Sequence, residues 1–140
     1  MVTLTETSLP ATSLTVGLPS TWTATDGPDG GLLAVEDVAG RFAASVSALV
    51  VRDAPEIPAD AVAATMAPLV APQLLHLRAD EGMVEFLLCH LVAEYSVTAL
   101  QRQVLTDEGL VVLTVTTATS RWSELADLAV EVLDSLEVTS

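Results

Sequence analysis

The chain predicts an α+β fold: an antiparallel β-sheet with amphipathic helices laid on it. The tripeptide Asp-Glu-Gly occurs twice, at Asp80-Glu81-Gly82 and Asp107-Glu108-Gly109, each time between apolar runs. A glycine closing a short acidic loop is a hairpin signature, so both sites predict antiparallel neighbours. Near the C-terminus, Trp122, Leu125, Ala129, Val132, Leu133 and Leu136 recur at spacings of mostly three and four, with Glu124, Asp127, Glu131 and Asp134 between them. That is an amphipathic helix with one face for a sheet. No repeat or linker divides the 140 residues, so residues 1–140 are expected to form one domain, and a chain of this length buries a core without staples.

The elements follow in order. Residues 14–17 alternate as a short strand, and Leu18-Pro19-Ser20-Thr21-Trp22 makes a turn that anchors an aromatic. Asp26-Gly27-Pro28-Asp29-Gly30-Gly31 is turn chemistry, rich in residues that accept positive φ. Strands are expected at 32–36 and 42–51, joined tightly through 37–40; the second alternates only in part, as a strand covered on both faces does. Pro58 and Asp60 suit a helix entry, Asp60 as cap, with Val62, Met66, Leu69 and Val70 on one face and a kink or end expected between Pro68 and Pro72. The first Asp-Glu-Gly turn then pairs 74–78 with a strand from Met83, and the second pairs 100–105 with 110–117. The run 83–92 reads as a strand, because as a helix it would spread Glu85, His90 and Glu94 over a wide arc. Ser120 is the expected cap of the last helix.

Charge excludes whole classes of function. Nineteen acids stand against five basic residues, all arginine, for a net charge of -14, although 51% of the chain is apolar. Phosphate backbones and anionic lipid headgroups repel such a surface, so neither nucleic acid nor a membrane is the expected partner. Without lysine there is no Schiff-base or P-loop chemistry. The acids are never more than two adjacent, which suits a solvated surface better than a recognition patch. Cys89 is alone, the first six residues lack the basic start of a signal peptide, and no apolar run is long enough to span a bilayer. A cytoplasmic location is therefore expected. The expected partner is another protein, basic if it reads this surface by charge, and a homodimer is compatible with the sequence.

Few residues offer chemistry. Cys89 and His90 are neighbours, and in a strand they point to opposite faces, so they form no thiolate–imidazolium dyad. If the first hairpin pairs Arg78 with Met83, His76 lies across from Glu85, where a carboxylate would favour the charged imidazole. The second hairpin pairs Arg102 with Leu113 on the face of Leu100, Val104, Val111 and Val115, with Gln101 and Gln103 facing away. An arginine on an apolar face needs a carboxylate partner or must snorkel; a structural ion pair or an edge-strand position is preferred over a ligand pocket. The two histidines and one cysteine lack ligand spacing, and no glycine-rich phosphate loop, G-x-S-x-G elbow or H-E-x-x-H helix occurs. No catalytic, cofactor-binding or metal-ligating residue is assigned, no cofactor is expected, and the protein is read as a non-enzyme.

One resemblance spans nearly the whole chain. Leu18-Pro19-Ser20-Thr21-Trp22, then Arg41-Phe42-Ala43-Ala44-Ser45-Val46, then the segment 116–124 leading into 130–138, resemble the PsbP-like fold shared with the Ran-binding Mog family, and within it the actinobacterial LpqN-type proteins. Ser45 stands where the family pattern favours asparagine. The resemblance implies an α+β sandwich and, by its relatives, a non-catalytic binding, adaptor or chaperone module; no family site maps onto residues here, and fold alone does not dictate function. The competing reading is a carrier for a small apolar ligand, with a pocket between sheet and helix lined by Phe86, Leu88, Met66 and Trp122. An enzyme would need His76 or His90 in a cleft beside Glu85 or Arg102. An open sheet edge or large exposed apolar patch favours the adaptor.

Overall fold

The computed structural model describes residues 3–27, 31–39 and 41–138. The strands are β1 (Leu4–Ser8), β2 (Leu14–Pro19), β3 (Thr23–Asp26), β4 (Leu32–Val35), β5 (Ser45–Val51), β6 (Val70–Asp80), β7 (Met83–Val92), β8 (Tyr95–Thr106), β9 (Gly109–Ala118) and β10 (Glu137–Val138). Helix α1 (Ala61–Met66) precedes β6, and α2 (Trp122–Asp134) follows a 3-10 turn at Thr119–Arg121. Seven strands form the main sheet in the order β3-β4-β5-β9-β8-β7-β6, every neighbour antiparallel. A smaller sheet, β1-β2-β10, holds the N-terminal hairpin beside the end of the chain.

Side-chain alternation gives the main sheet two unlike faces. On one, Val46, Ala48, Leu100, Val111, Leu113 and Val115 meet Ala129, Val132 and Leu133 of α2 and Leu14, Val16 and Leu18 of β2. This is the principal core, and it accounts for the apolar stripe predicted for the last helix. The other face carries a smaller cluster in which Phe86, Leu88 and Ala99 pack under Val62, Met66 and Leu69. Polar side chains continue that layer: Gln101 donates to the Thr114 hydroxyl at 3.0 Å, Gln103 donates to Gln101 at 2.8 Å, and the Thr65 hydroxyl of α1 donates to Gln101 at 3.3 Å. Buried amides are thus hydrogen-bonded where the hydrophobic cluster ends.

Both Asp-Glu-Gly hairpins form. Gly82 takes φ +73° in open space, whereas Gly109 takes φ +127° with Val51 pressed against it, and a Cβ there would sit 2.4 Å from the Val51 carbonyl oxygen. Only glycine fits that approach between β9 and the end of β5. The turn expected at 26–31 joins β3 to β4, with Asp26 across from Leu32 and Gly27 donating to the Gly31 carbonyl at 2.8 Å; its tip, 28–30, and Gly40 of the next connection lie outside the described residues.

Several boundaries differ from expectation. Helix α1 stops at Met66, because Pro68 has no N–H to donate and its ring crowds the preceding turn. Val70 therefore leaves the helix and opens β6, and Asp60 occupies the cap position without a side-chain cap hydrogen bond. At α2 the cap position belongs to Arg121, not Ser120, because the intervening 3-10 turn moves the helix start to Trp122. Strand β5 starts at Ser45 rather than Phe42. β1, β3 and β10 were not foreseen; the first two are short and largely exposed, so they lack the apolar alternation that reveals a buried strand.

Candidate functional site

The first hairpin corrects one predicted pair. Asp80 pairs with Met83, so the loop is only Glu81-Gly82, and Arg78 rather than His76 lies across from Glu85. His76 is exposed and faces Leu87. The positive φ at Gly82 lets β6 run two residues further than expected and close with a loop of two residues instead of four. A shift of two residues keeps every side chain on its face and changes only its partner. Cys89 and His90 do lie on opposite faces: Cys89 pairs with Gln73 and donates to its side-chain oxygen at 3.6 Å, while His90 continues the row of Phe86 and Leu88.

The second hairpin forms in the expected register, with Arg102 across from Leu113. Arg102 escapes the cost of a lone buried charge through two carboxylates. Its Nε donates to Glu85 Oε1 at 2.8 Å and its Nη1 to Asp134 Oδ1 at 2.8 Å, tying β8 to β7 and to α2. Burial works against its charge, but the hydrogen bonds it donates to Asp134 and Glu85 more than offset that and raise its pKa above the ordinary value. Arg78 reaches the other oxygen of Glu85 at 3.8 Å. This is the structural ion pair preferred over a ligand pocket.

A second ion pair had no signal in the sequence. Arg121, in the turn before α2, donates from Nη1 and Nη2 to the two oxygens of Glu36, at 2.5 and 2.8 Å, and its Nη2 also donates to Glu124 at 3.4 Å. The Ala44 backbone N–H donates to Glu36 at 3.2 Å. The Arg121 guanidinium, against the cost of burial and aided by Ala44 and Arg41, holds the Glu36 carboxyl below its ordinary range. Arg121 is raised in turn, first by its hydrogen bonds to Glu36. Only tertiary folding joins a residue after β4 to one before α2.

The surface offers one feature on a larger scale. β6 is the terminal strand of the main sheet, eleven residues long, with Val70 62% exposed, Leu75 55% and Leu77 50%. Its first half is irregular: Ala71 has φ +50°, Pro72 has no N–H, and the register shifts between Val70 and Gln73 and between Leu74 and His76. From His76 to Asp80 it pairs with β7 without interruption. Beside that regular half runs a groove of about 320 Å³ between β6–β7 and the entry to α1, lined chiefly by Ile57, Pro58, Val62, Leu77, Met83 and Val84 and bordered by Asp80.

The pocket expected for a carrier is not where it was placed. Phe86 and Leu88 are buried beneath Met66 as closed core, and Trp122 packs against the cluster on the opposite face. Among the described residues, no three His, Cys, Asp or Glu side chains gather in a way that could hold a metal, and no helix is long and apolar enough to cross a membrane.

An antiparallel main sheet with α2 and a small sheet on one face and α1 on the other is an α+β sandwich of PsbP-like fold. Three solved structures share it over almost their whole length: cyanobacterial PsbP (CyanoP) from Synechocystis (16% identity, TM-score 0.61, 99% of this chain and 94% of that one); PA94 of Pseudomonas aeruginosa, a protein of unknown function (14%, 0.63, 99% and 99%); and LpqN, involved in cell envelope biogenesis of Mycobacterium tuberculosis (13%, 0.59, 99% and 92%). At these identities the likeness is one of fold, and it agrees with the resemblance read from the sequence. No family model and no curated protein matches the chain.

Proposed function

We propose that the protein is a non-catalytic module that binds another protein, as an adaptor or chaperone does, and that it does so along the free edge of β6. The observation that carries this reading is the exposed edge of β6, which shows Leu74, Leu75 and Leu77 to solvent and pairs with β7 without interruption from His76 to Asp80. An edge strand offers unpaired backbone N–H and C=O groups, and proteins ordinarily blunt such edges with bulges, proline or charge. Here the register shifts and the proline are confined to the first half of the strand, and the second half carries charge at Arg78 and Asp80. The enzyme reading finds little support, since Glu85 and Arg102 are spent on each other and His76 stands exposed across from Leu87.

Affinity capture from the native host tests the proposal with three proteins: wild type, the double variant Leu75→Lys/Leu77→Lys, and Val130→Lys on the exposed side of α2 as control. Proteins recovered by wild type and control but lost with the double variant are the expected result. Equal recovery by all three overturns it. The open groove favours a second reading, the apolar-ligand carrier, since about 320 Å³ is at the lower end of small-molecule sites. Native mass spectrometry of protein purified from its host distinguishes the two: a retained small molecule, displaced when Val84→Trp fills the groove, favours the carrier.

A further inference from the structure

The groove and its charge narrow what the β6 edge accepts, on the premise that this edge binds protein. Leu77 pairs with Phe86 and Ala79 with Val84, which places both on the face that α1 covers. The entry to α1 walls that face, so the groove opens along β6. A strand added to the edge would run about 4.8 Å outside β6, and its alternate side chains would continue the rows of Leu77 and Ala79 into the groove. A helix offers no backbone groups to the edge and would leave them unpaired.

Charge chooses among extended segments. Asp80 borders the groove, and its carboxylate has no hydrogen-bond or ion-pair partner among the described residues. Glu81 follows it in the turn, and Glu56 and Asp60, both exposed, flank the lining residues in sequence. The nearby cation, Arg78, shares the side of the strand that Asp80 occupies by alternation, but it is directed to Glu85 at 3.8 Å. A second copy of the chain would bring the same acids and another -14 to the same edge, so charge argues against it. We infer that the occupant of the β6 edge is an extended segment of another protein with alternating apolar residues, which enter the groove, and an arginine or lysine at the end beside Asp80.

Two amidated peptides of about eight residues, enough for one ordinary strand, test this. Both alternate valine and threonine; one carries two terminal arginines and its twin two glutamates. Amide NMR shifts of the intact protein should move at residues 76–80 and 83–84 with the arginine peptide, and the twin should bind at least about tenfold more weakly. Asp80→Asn should weaken the arginine peptide and Asp80→Arg should reverse the preference; Asp80 is exposed, and circular dichroism checks that both variants fold. Twins that bind equally, or a preference untouched by Asp80→Arg, overturn the charge assignment while leaving the edge reading intact. Failure of both peptides, with host proteins still captured through β6, overturns the extended segment. Concentration-dependent self-association abolished by Leu77→Lys gives the edge to a second copy and likewise overturns the inference. Capture that ignores β6 altogether removes the premise instead.

Discussion

Glu36 shows how one side chain, unremarkable in sequence, becomes a fastening point. It accepts both terminal nitrogens of Arg121 while the Ala44 N–H donates to it, so the chain after β4 is tied to the start of α2. The Arg121 guanidinium holds its carboxyl below the ordinary carboxylate range in the folded state. A lowered carboxylate pKa contributes stability that is fully present above the unfolded value and fades as pH falls through the folded one. Breaking a mostly buried pair by removing one partner costs about 3 kcal/mol. Denaturant titration of Glu36→Gln should therefore show a loss of that order at neutral pH. The gap to wild type should stay constant down to about pH 5 and close below it, since an already neutral glutamine has nothing left to lose. A gap that does not change with pH would assign Glu36 a packing role instead. Arg102 teaches a complementary lesson. Its face and its need for a carboxylate followed from alternation, yet Asp134 as a partner did not, because contacts between a helix and a sheet leave no mark in either local pattern.

At the scale of elements, β6 and β7 divide stability from recognition. Phe86 on β7 is fully buried under α1, whereas its cross-strand neighbour Leu77 on β6 is half exposed at the edge. Truncating a buried phenylalanine to alanine costs about 3–5 kcal/mol, and a surface substitution stays within about 0.5 kcal/mol. Thermal or chemical unfolding should accordingly find Phe86→Ala severely destabilised and Leu77→Lys close to wild type, with partner binding lost in the latter. A large stability loss in Leu77→Lys would mean the edge serves the fold rather than a partner. The hairpins themselves were legible, because a glycine at the end of an acidic loop is local chemistry. Their registers were legible only in part. One loop closed as expected, and the other closed two residues shorter through Gly82, exchanging His76 for Arg78 opposite Glu85.

Across the whole molecule, a net charge of -14 on 140 residues makes self-repulsion a general cost of compactness. Raising ionic strength from about 0.01 to about 0.15 M shortens the screening length from about 30 to about 8 Å. The unfolding midpoint should rise over that range, in a salt that is not itself a strong stabiliser. A midpoint that falls would mean the ion pairs of Arg102 and Arg121 outweigh the general repulsion. The same screening should weaken the arginine peptide at the β6 edge, so fold and recognition respond to salt in opposite directions.

Composition, turn chemistry and periodicity alone determined the α+β class, both Asp-Glu-Gly hairpins, the amphipathic α2 and the register of Arg102, because each depends on neighbours within a few residues or on a strict two-residue alternation. The short strands β1, β3 and β10, the Arg121–Glu36 pair, the closed packing of Phe86 beneath α1 and the exposure of β6 were decided only in three dimensions. Whether a strand lies at the centre or the edge of a sheet depends on which other strands arrive beside it. The apolar run of β6 reads the same in either place, and the order of the completed sheet made it a surface.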